Sequence, residues 1–252
     1  MGDATPVRVR LTVAYRGDGF RGWAANAGVR SVEGTLAEAL ETVLRAPVAL
    51  AVGGRTDAGV HAEGQVVSLD APASTDLDDL VQRVNALVGP EVAVLDAGAV
   101  PSDFHARFSA RSRRYRYRVL NRQVPDPFRQ AVTWHIPLPL DVDAMARGAA
   151  ALVGEHDFSA FCRRPKEPPG ASLERCVTEA TWVADGDEKR FTIEANAFCH
   201  QMVRSIVGLL ALVGSGRRRP EHVGAVLEAR DRSAVRADPA PPHGLTLVAV
   251  DY

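Results

Sequence analysis

Residues 51–67, AVGGRTDAGVHAEGQVV, carry an Arg-Thr-Asp triplet between Gly53-Gly54 and Gly59, with apolar runs on both sides. Glycine and aspartate favour turns, and a turn between two strands exposes the side chains that it carries. An aspartate side chain is ionised at neutral pH, so Asp57 has the chemistry of a nucleophile or a base. Arg55 is suited to pair with this carboxylate or to bind a phosphate through two parallel hydrogen bonds. The same residue types also fit an ordinary structural turn.

Positive charge is concentrated in one segment, although the net charge is −1. Between Phe104 and Pro125 there are seven arginines and no acidic residue. Arginine interleaved with tyrosine is typical of surfaces that bind phosphates and unpaired bases. We therefore expect RNA contacts from this segment, with Arg107, Arg111 and Arg113 as the candidate residues.

The composition is that of a folded globular protein: of 252 residues, 46% are hydrophobic and 24% charged. No apolar run approaches the roughly 20 residues of a membrane span, and the N-terminus lacks a signal-peptide core. These features predict a cytoplasmic protein that does not associate with membranes. The three cysteines, Cys162, Cys176 and Cys199, have no C-x-x-C spacing. The sequence therefore predicts neither a disulfide framework nor a zinc site.

Apolar periodicity predicts an α+β fold. Alternation from Val7 to Tyr15 indicates a half-buried strand, and helical spacing follows over 36–44. The order strand, helix, two strands, helix, strand appears in both halves of the chain. We predict two similar βαββαβ units of the ferredoxin-like type with antiparallel sheets, over residues 1–107 and 108–252. The predicted strands span 7–15, 48–52, 65–69, 92–95, 114–120, 177–184, 191–197 and 245–250, and the predicted helices 36–44, 77–87, 141–153, 200–213 and 220–230.

One segment suggests a different protein class. Gly17, Gly19 and Gly22 match the G-x-G-x-x-G pattern of dinucleotide-binding folds and follow a strand. That mechanism requires a helix to begin at the third glycine and present its N-terminus to a pyrophosphate. Here helical periodicity begins only near Leu36. A dinucleotide-dependent oxidoreductase is therefore the weaker interpretation.

Six blocks of the sequence resemble the tRNA pseudouridine synthase A family, in the family's order and spacing. They are AYRGDGFRGW at 14–23, GGRTDAGVHAEGQV at 53–66, FHARFSARSRRYRYRV at 104–119, LVGEHDFSAF at 152–161, NAFCHQMVRSIVGLL at 196–210 and GLTLVAVDY at 244–252. Together they cover nearly the whole chain. The resemblance implies the pseudouridine synthase fold and the isomerisation of uridine to pseudouridine in the anticodon stem-loop of tRNA, at tRNA positions 38, 39 and 40. It implies no cofactor and no metal.

The resemblance also implies roles for individual residues. Asp57 is the catalytic carboxylate, and Arg204 approaches it from the second half of the chain. Tyr115 stacks on the target base, with a second role for its hydroxyl, as the base at C5, left open. Arg204 lies on an otherwise apolar helix, and a buried arginine needs a partner, which independently favours an acidic neighbour such as Asp57. Arg55 contributes to substrate binding. We expect His61 to order the turn rather than to take part in chemistry.

Between Trp23 and Val32 the family usually carries glutamines, whereas this chain reads AANAGVRSVEG at 24–34, with Ala24, Asn26 and Glu33 there instead. The extra negative charge at Glu33 puts RNA contacts from this segment in question. The basic segment at 163–172, which we predict to be a mobile loop, also differs from the family pattern.

A catalytically idle RNA-binding protein on the same fold is the alternative function. The resemblance further implies a homodimer that binds the anticodon arm of tRNA.

Overall fold

The computed structural model describes residues 6–163 and 172–252, so the predicted basic loop at 163–172 lies almost entirely outside the described residues. The chain divides into two compact units. The first contains the residues up to Arg111 together with Leu247–Tyr252, and the second contains Ser112–Thr246. The predicted bounds, 1–107 and 108–252, differ mainly in assigning the C-terminal strand to the second unit.

The first unit has the predicted element order. It contains the strands β1 (Val7–Tyr15), β2 (Ala51–Val52), β3 (His61–Ala71) and β4 (Val92–Ala99), and the helices α1 (Val32–Leu44) and α2 (Leu77–Val88). Strand β1 lies between β4 and β3, β2 pairs with β3, and all three pairings are antiparallel. In β1 the alternate residues Val9, Leu11 and Val13 are fully buried, as the pattern predicts.

Capping side chains set where the two helices of the first unit begin. Asp76 accepts hydrogen bonds from the backbone N–H groups of Asp78 and Asp79 and is the N-cap of α2. Ser31 accepts from the N–H of Gly34, so α1 begins at Val32. The sequence placed this start near Leu36, because Gly34 obscures the apolar periodicity of the first turn.

The second unit contains the strands β5 (Ser112–Leu120), β6 (Trp134–His135), β7 (Gly154–Asp157), β8 (Glu174–Asp185) and β9 (Glu188–Ala195), and the helices α3 (Val142–Ala150), α4 (Met202–Gly214) and α5 (His222–Ala229). Strands β5, β9, β8 and β7 are neighbours in that order and pair antiparallel, while the short β6 pairs parallel with β5. The sequence analysis did not predict β6 and β7, because strands of two and four residues are too short to show an alternating apolar pattern. That the two units are related copies stays a prediction.

The last strand, β10 (Leu245–Asp251), lies next to β3 in the sheet. The backbones of β3 and β10 approach each other closely at Gly64. A Cβ atom there would lie 2.3 Å from the carbonyl oxygen of Val248, so the position requires glycine. None of the helices in the described part of the chain has the length and apolar character that crossing a bilayer requires.

The arginines of β5 lie on both faces of the strand. Tyr115, Tyr117 and Val119 point into the core, as does Arg113. The other arginines of the strand, Arg114, Arg116 and Arg118, point to the opposite face. There Arg114 forms an ion pair with Glu194, and Arg118 pairs with Glu188 through two hydrogen bonds of 2.9 and 2.8 Å. These carboxylates lie on the neighbouring β9, so part of the arginine cluster stabilises the sheet by cross-strand pairing.

The structure contains one disulfide, where the cysteine spacing predicted no disulfide framework. Cys162 and Cys199 form a disulfide in the second unit, with Cα atoms 5.6 Å apart, and Cys176 is the free cysteine. That Cα separation is typical of disulfides. The two cysteines are 37 residues apart in the chain, so their spacing carries no sign of the contact that the fold creates.

We expect thiol labelling of the protein unfolded without a reductant to modify Cys176 alone, and labelling after reduction to modify all three cysteines. Closing a loop of this length should stabilise the protein by about 3–4 kcal/mol, by reducing the entropy of the unfolded chain. Denaturation curves with and without reductant measure this difference. The Cys176→Ser variant is the control and should respond to reductant as the parent protein does. Three reactive thiols before reduction would contradict the assignment.

Candidate active site

Asp57 lies in the loop at residues 53–60, which connects β2 to β3. The carbonyl of Asp57 accepts a hydrogen bond of 3.1 Å from the N–H of Val60, which closes a tight turn. Gly59 has φ +81°, the left-handed conformation that the third residue of a type II turn requires. The side chain of Asp57 is partly exposed and that of Arg55 is exposed. The loop therefore presents both side chains while its backbone is held in place.

The glycine-rich segment at 17–22 packs against this loop. Gly17–Gly19 form a single 3-10 turn, and α1 begins only at Val32. A Cβ atom on Gly17 would lie 2.0 Å from the carbonyl oxygen of Val60, and one on Gly22 would lie 3.1 Å from that of Thr56. These glycines thus permit close backbone packing. The dinucleotide-binding interpretation fails, because no helix begins at Gly22 to hold a pyrophosphate.

Two hydrogen bonds connect the segment and the residue after it to the loop and to the first residue of β3. The N–H of Gly17 donates to Nδ1 of His61 at 3.0 Å, and the N–H of Trp23 donates to the carbonyl of Thr56 at 3.0 Å. His61 is 4% exposed. Its ordering contact agrees with the expectation that it supports the turn.

Sequence reasoning missed a set of buried polar side chains behind the loop. Tyr15, Thr56 and Gln65 are at most 8% exposed and are hydrogen-bonded to one another. The only sign in the sequence was a polar glutamine within the apolar run of a strand, where a buried side chain must find partners.

Tyr115 and Arg204 lie in the second unit. Tyr115 is on β5, is 7% exposed, and packs edge-to-face against Phe198 with ring centroids 5.0 Å apart. Arg204 lies in the first turn of α4 and donates from Nε to the carbonyl of Ala240 at 2.7 Å. That bond fixes the position of the guanidinium group.

Tyr117, on the same face of β5 as Tyr115, is a core residue. It is fully buried and donates its hydroxyl to the carbonyl of Pro241 at 2.8 Å. Burial raises the pKa of its phenol well above the ordinary value. The two tyrosines of the sequence motif therefore have different environments.

The three candidate RNA-contacting arginines also differ. Arg107 and Arg111 are exposed in the first unit, and Phe108 between them is 76% exposed, with the Arg107 guanidinium 5.5 Å from the ring centroid. Arg113 is 8% exposed and donates to the carbonyl of Asn196 at 2.7 Å. An exposed surface of two arginines and a phenylalanine is suited to nucleic acid, whereas the burial of Arg113 disfavours a phosphate contact.

The segment that carries Arg107 is anchored in the first unit on both sides of its backbone. The N–H of Ala106 donates to Ser68 Oγ at 3.1 Å, and the hydroxyl of Tyr252 donates to the carbonyl of Ala106 at 2.7 Å. The N–H of Arg111 donates to the carbonyl of Asp251 at 2.8 Å. Phe108 is the member of this surface that the sequence analysis did not single out, although FHARFSAR already interleaves it with arginines.

Comparison with known proteins places these residues in a family. Residues 149–252 match the family described as tRNA pseudouridine synthase. Proteins named tRNA pseudouridine synthase A are similar to this chain over most of both lengths. That of Frankia casuarinae is 45% identical over 98% of this chain and 89% of its own, and that of Halalkalibacterium halodurans is 41% identical over 94% and 90%. The Methylobacterium nodulans protein is 44% identical over 97% and 96%.

Among solved structures, a protein from the "Crystal Structure of a Cbf5-Nop10-Gar1 Complex" matches with a TM-score of 0.34 and 14% identity, over 94% of this chain and 57% of that one. This likeness is too weak to carry an argument. The sequence relatives are far closer. At 41–45% identity along almost its whole length, this chain belongs to the tRNA pseudouridine synthase A family.

Proposed function

We propose that this chain isomerises uridine to pseudouridine in the anticodon stem-loop of cytoplasmic tRNA, at tRNA positions 38, 39 and 40. The observation that carries the proposal is the placement of Asp57. Its carboxylate stands partly exposed on a turn whose backbone is closed by Val60 and packed against Gly17 and Gly22. Membership of the synthase family identifies the reaction in which we propose that this carboxylate takes part.

The reaction breaks the bond from uracil N1 to ribose C1′ and forms one from uracil C5 to C1′. C5 loses one proton when it bonds to C1′, and N1, freed from the ribose, gains one, so atoms and electrons balance without a redox partner. A carboxylate near the ribose begins this sequence, either by attack at C1′ or by removing a proton from C2′. Both routes start from Asp57.

The other proposed site residues hold the substrate. Tyr115 stacks on the target uracil, which must leave its base stack at a cost of a few kcal/mol. Its edge-to-face contact with Phe198 keeps the ring in a fixed plane. Arg204 and Arg55 supply positive charge, and the exposure of Arg55 favours a phosphate contact.

RNA binding away from the reacting base is assigned to Arg107, Phe108 and Arg111. The two guanidinium groups bind phosphates, and the exposed ring of Phe108 stacks on an unpaired base. A homodimer that contacts the anticodon arm with both subunits completes the proposal.

The Asp57→Asn variant should fold and bind tRNA but form no detectable pseudouridine. The amide keeps the shape of the side chain but is neither a useful nucleophile nor a base at neutral pH. The measurements are a melting curve, a tRNA titration and chemical mapping of pseudouridine. Asp70→Asn makes the same change at an exposed carboxylate of β3 and should retain full activity.

This experiment also separates the synthase from an idle RNA-binding protein. A parent protein that binds tRNA but forms no pseudouridine would favour the idle binder. Substantial turnover by folded Asp57→Asn would instead remove Asp57 from the chemistry.

Replacing Arg107 and Arg111 with glutamine should weaken tRNA binding and flatten its dependence on salt. The slope of log affinity against log salt should fall by about 0.7–0.9 for each phosphate that the variant no longer binds. Titrations at several salt concentrations measure it, with Arg83→Gln on α2 as the matched control because Arg83 is also exposed. A slope identical to the parent's in the double variant would place this surface away from the RNA.

Tyr115→Leu should lose most of its activity, because a base–aromatic stack contributes about 1–3 kcal/mol. Tyr115→Phe keeps the ring and its contact with Phe198, and so it isolates the hydroxyl. Near-normal turnover in Tyr115→Phe assigns stacking alone, whereas inactivity with intact tRNA binding assigns the hydroxyl to C5 deprotonation. Full activity of Tyr115→Leu would be incompatible with any place for this residue in the site.

A further inference from the structure

A chain of hydrogen bonds runs from the core of the first unit to the residue before Asp57. Nε2 of Gln65 lies 3.3 Å from the hydroxyl oxygen of Tyr15, and that oxygen lies 2.7 Å from Oγ1 of Thr56. Because the Tyr15 hydroxyl accepts from Gln65, its own proton is available for Thr56. The chain thus ends on the side chain directly preceding Asp57.

Gln65 also holds the residue preceding Arg55. Its Nε2 donates to the carbonyl of Gly54 at 2.6 Å, and its Oε1 accepts from the N–H of Gly54 at 3.3 Å and from that of Val66 at 3.1 Å. With the bond to Tyr15, the amide uses both of its donors and both lone pairs of its oxygen. Gly54 and Thr56, which flank Arg55, are therefore connected to one buried side chain.

Burial makes it costly to break any hydrogen bond of this network. Gln65 is fully buried, Tyr15 is 4% exposed and Thr56 is 8% exposed. A buried polar atom without a partner is destabilising, so displacement of the loop would leave several groups unsatisfied together. Burial also raises the pKa of Tyr15 to about 12, so its hydroxyl stays protonated at neutral pH.

We propose that Tyr15, Thr56 and Gln65 are positioning residues that hold the Asp57 carboxylate in its reactive place. This rests on the proposed catalytic role of Asp57. None of the three needs to touch the substrate. Their effect comes through the loop backbone, where a displacement of about 1 Å at a reacting group costs on the order of a hundredfold in rate.

Tyr15→Phe and Thr56→Val each delete one hydroxyl of the chain and little volume. We expect the single-turnover rate of pseudouridine formation at saturating enzyme to fall roughly ten- to a hundredfold in each, with the Kd for tRNA within about twofold of the parent value. Thr56→Ser restores the hydroxyl and should recover most of the rate.

The matched control is Thr133→Val in the second unit. Thr133 is 1% exposed and donates Oγ1 to the carbonyl of Arg129 at 2.8 Å, so the variant loses a comparable buried bond. Melting curves ensure that each protein is folded at the assay temperature. We expect the rate of Thr133→Val to stay near that of the parent even where its Tm falls.

A parent-like rate in folded Tyr15→Phe, or equal rates for Thr56→Val and Thr56→Ser, would overturn the positioning role. If Thr56→Val does not fold, the comparison of Tyr15→Phe with the parent decides the question. The Asp57→Asn assay keeps the two proposals distinct. Turnover by Asp57→Asn refutes the catalytic assignment, whereas an inactive Asp57→Asn beside a fully active Tyr15→Phe refutes the positioning role alone.

Discussion

A loop between two strands has backbone N–H and C=O groups with no sheet partner, and in a buried setting each must be satisfied in another way. The first unit meets this constraint at the Asp57 loop with one side chain, Gln65, whose amide binds both polar backbone groups of Gly54. The carbonyls of Thr56 and Asp57 are met by the N–H groups of Trp23 and Val60. The conformation of the loop is thus determined from its buried side, while Arg55 and Asp57 project from the other.

The glycine-rich segment at 17–22 also helps to satisfy the backbone groups of the Asp57 loop. The N–H of Trp23, directly after the segment, can reach Thr56 only if the two backbones come within contact distance, and a side chain at Gly17 would overlap the carbonyl of Val60. The loop and the segment therefore depend on each other. A motif that in another context would bind a pyrophosphate here supports a carboxylate.

The arginine-rich segment shows that one compositional signal has several physical causes. Arg114 and Arg118 stabilise the sheet through carboxylates on β9. Arg113 is buried against the carbonyl of Asn196, whereas Arg107 is exposed beside an exposed phenylalanine. Whether an arginine of this segment is exposed follows from whether it precedes β5 and, within β5, from the face of the strand on which it lies.

Local pattern by itself determined much of this protein. The alternation in β1, the cap at Asp76 and the apolar face of α4 are short-range features, so the main helices and strands and the exposed turn at Asp57 could be predicted. The family blocks identified the reaction. Contacts between distant residues were decided only by the tertiary structure. The Cys162–Cys199 disulfide, the burial of Arg113 and the chain from Gln65 through Tyr15 to Thr56 each join residues whose spacing carries no signal. Packing brings such residues together, because buried polar groups take whichever partners the fold places within reach.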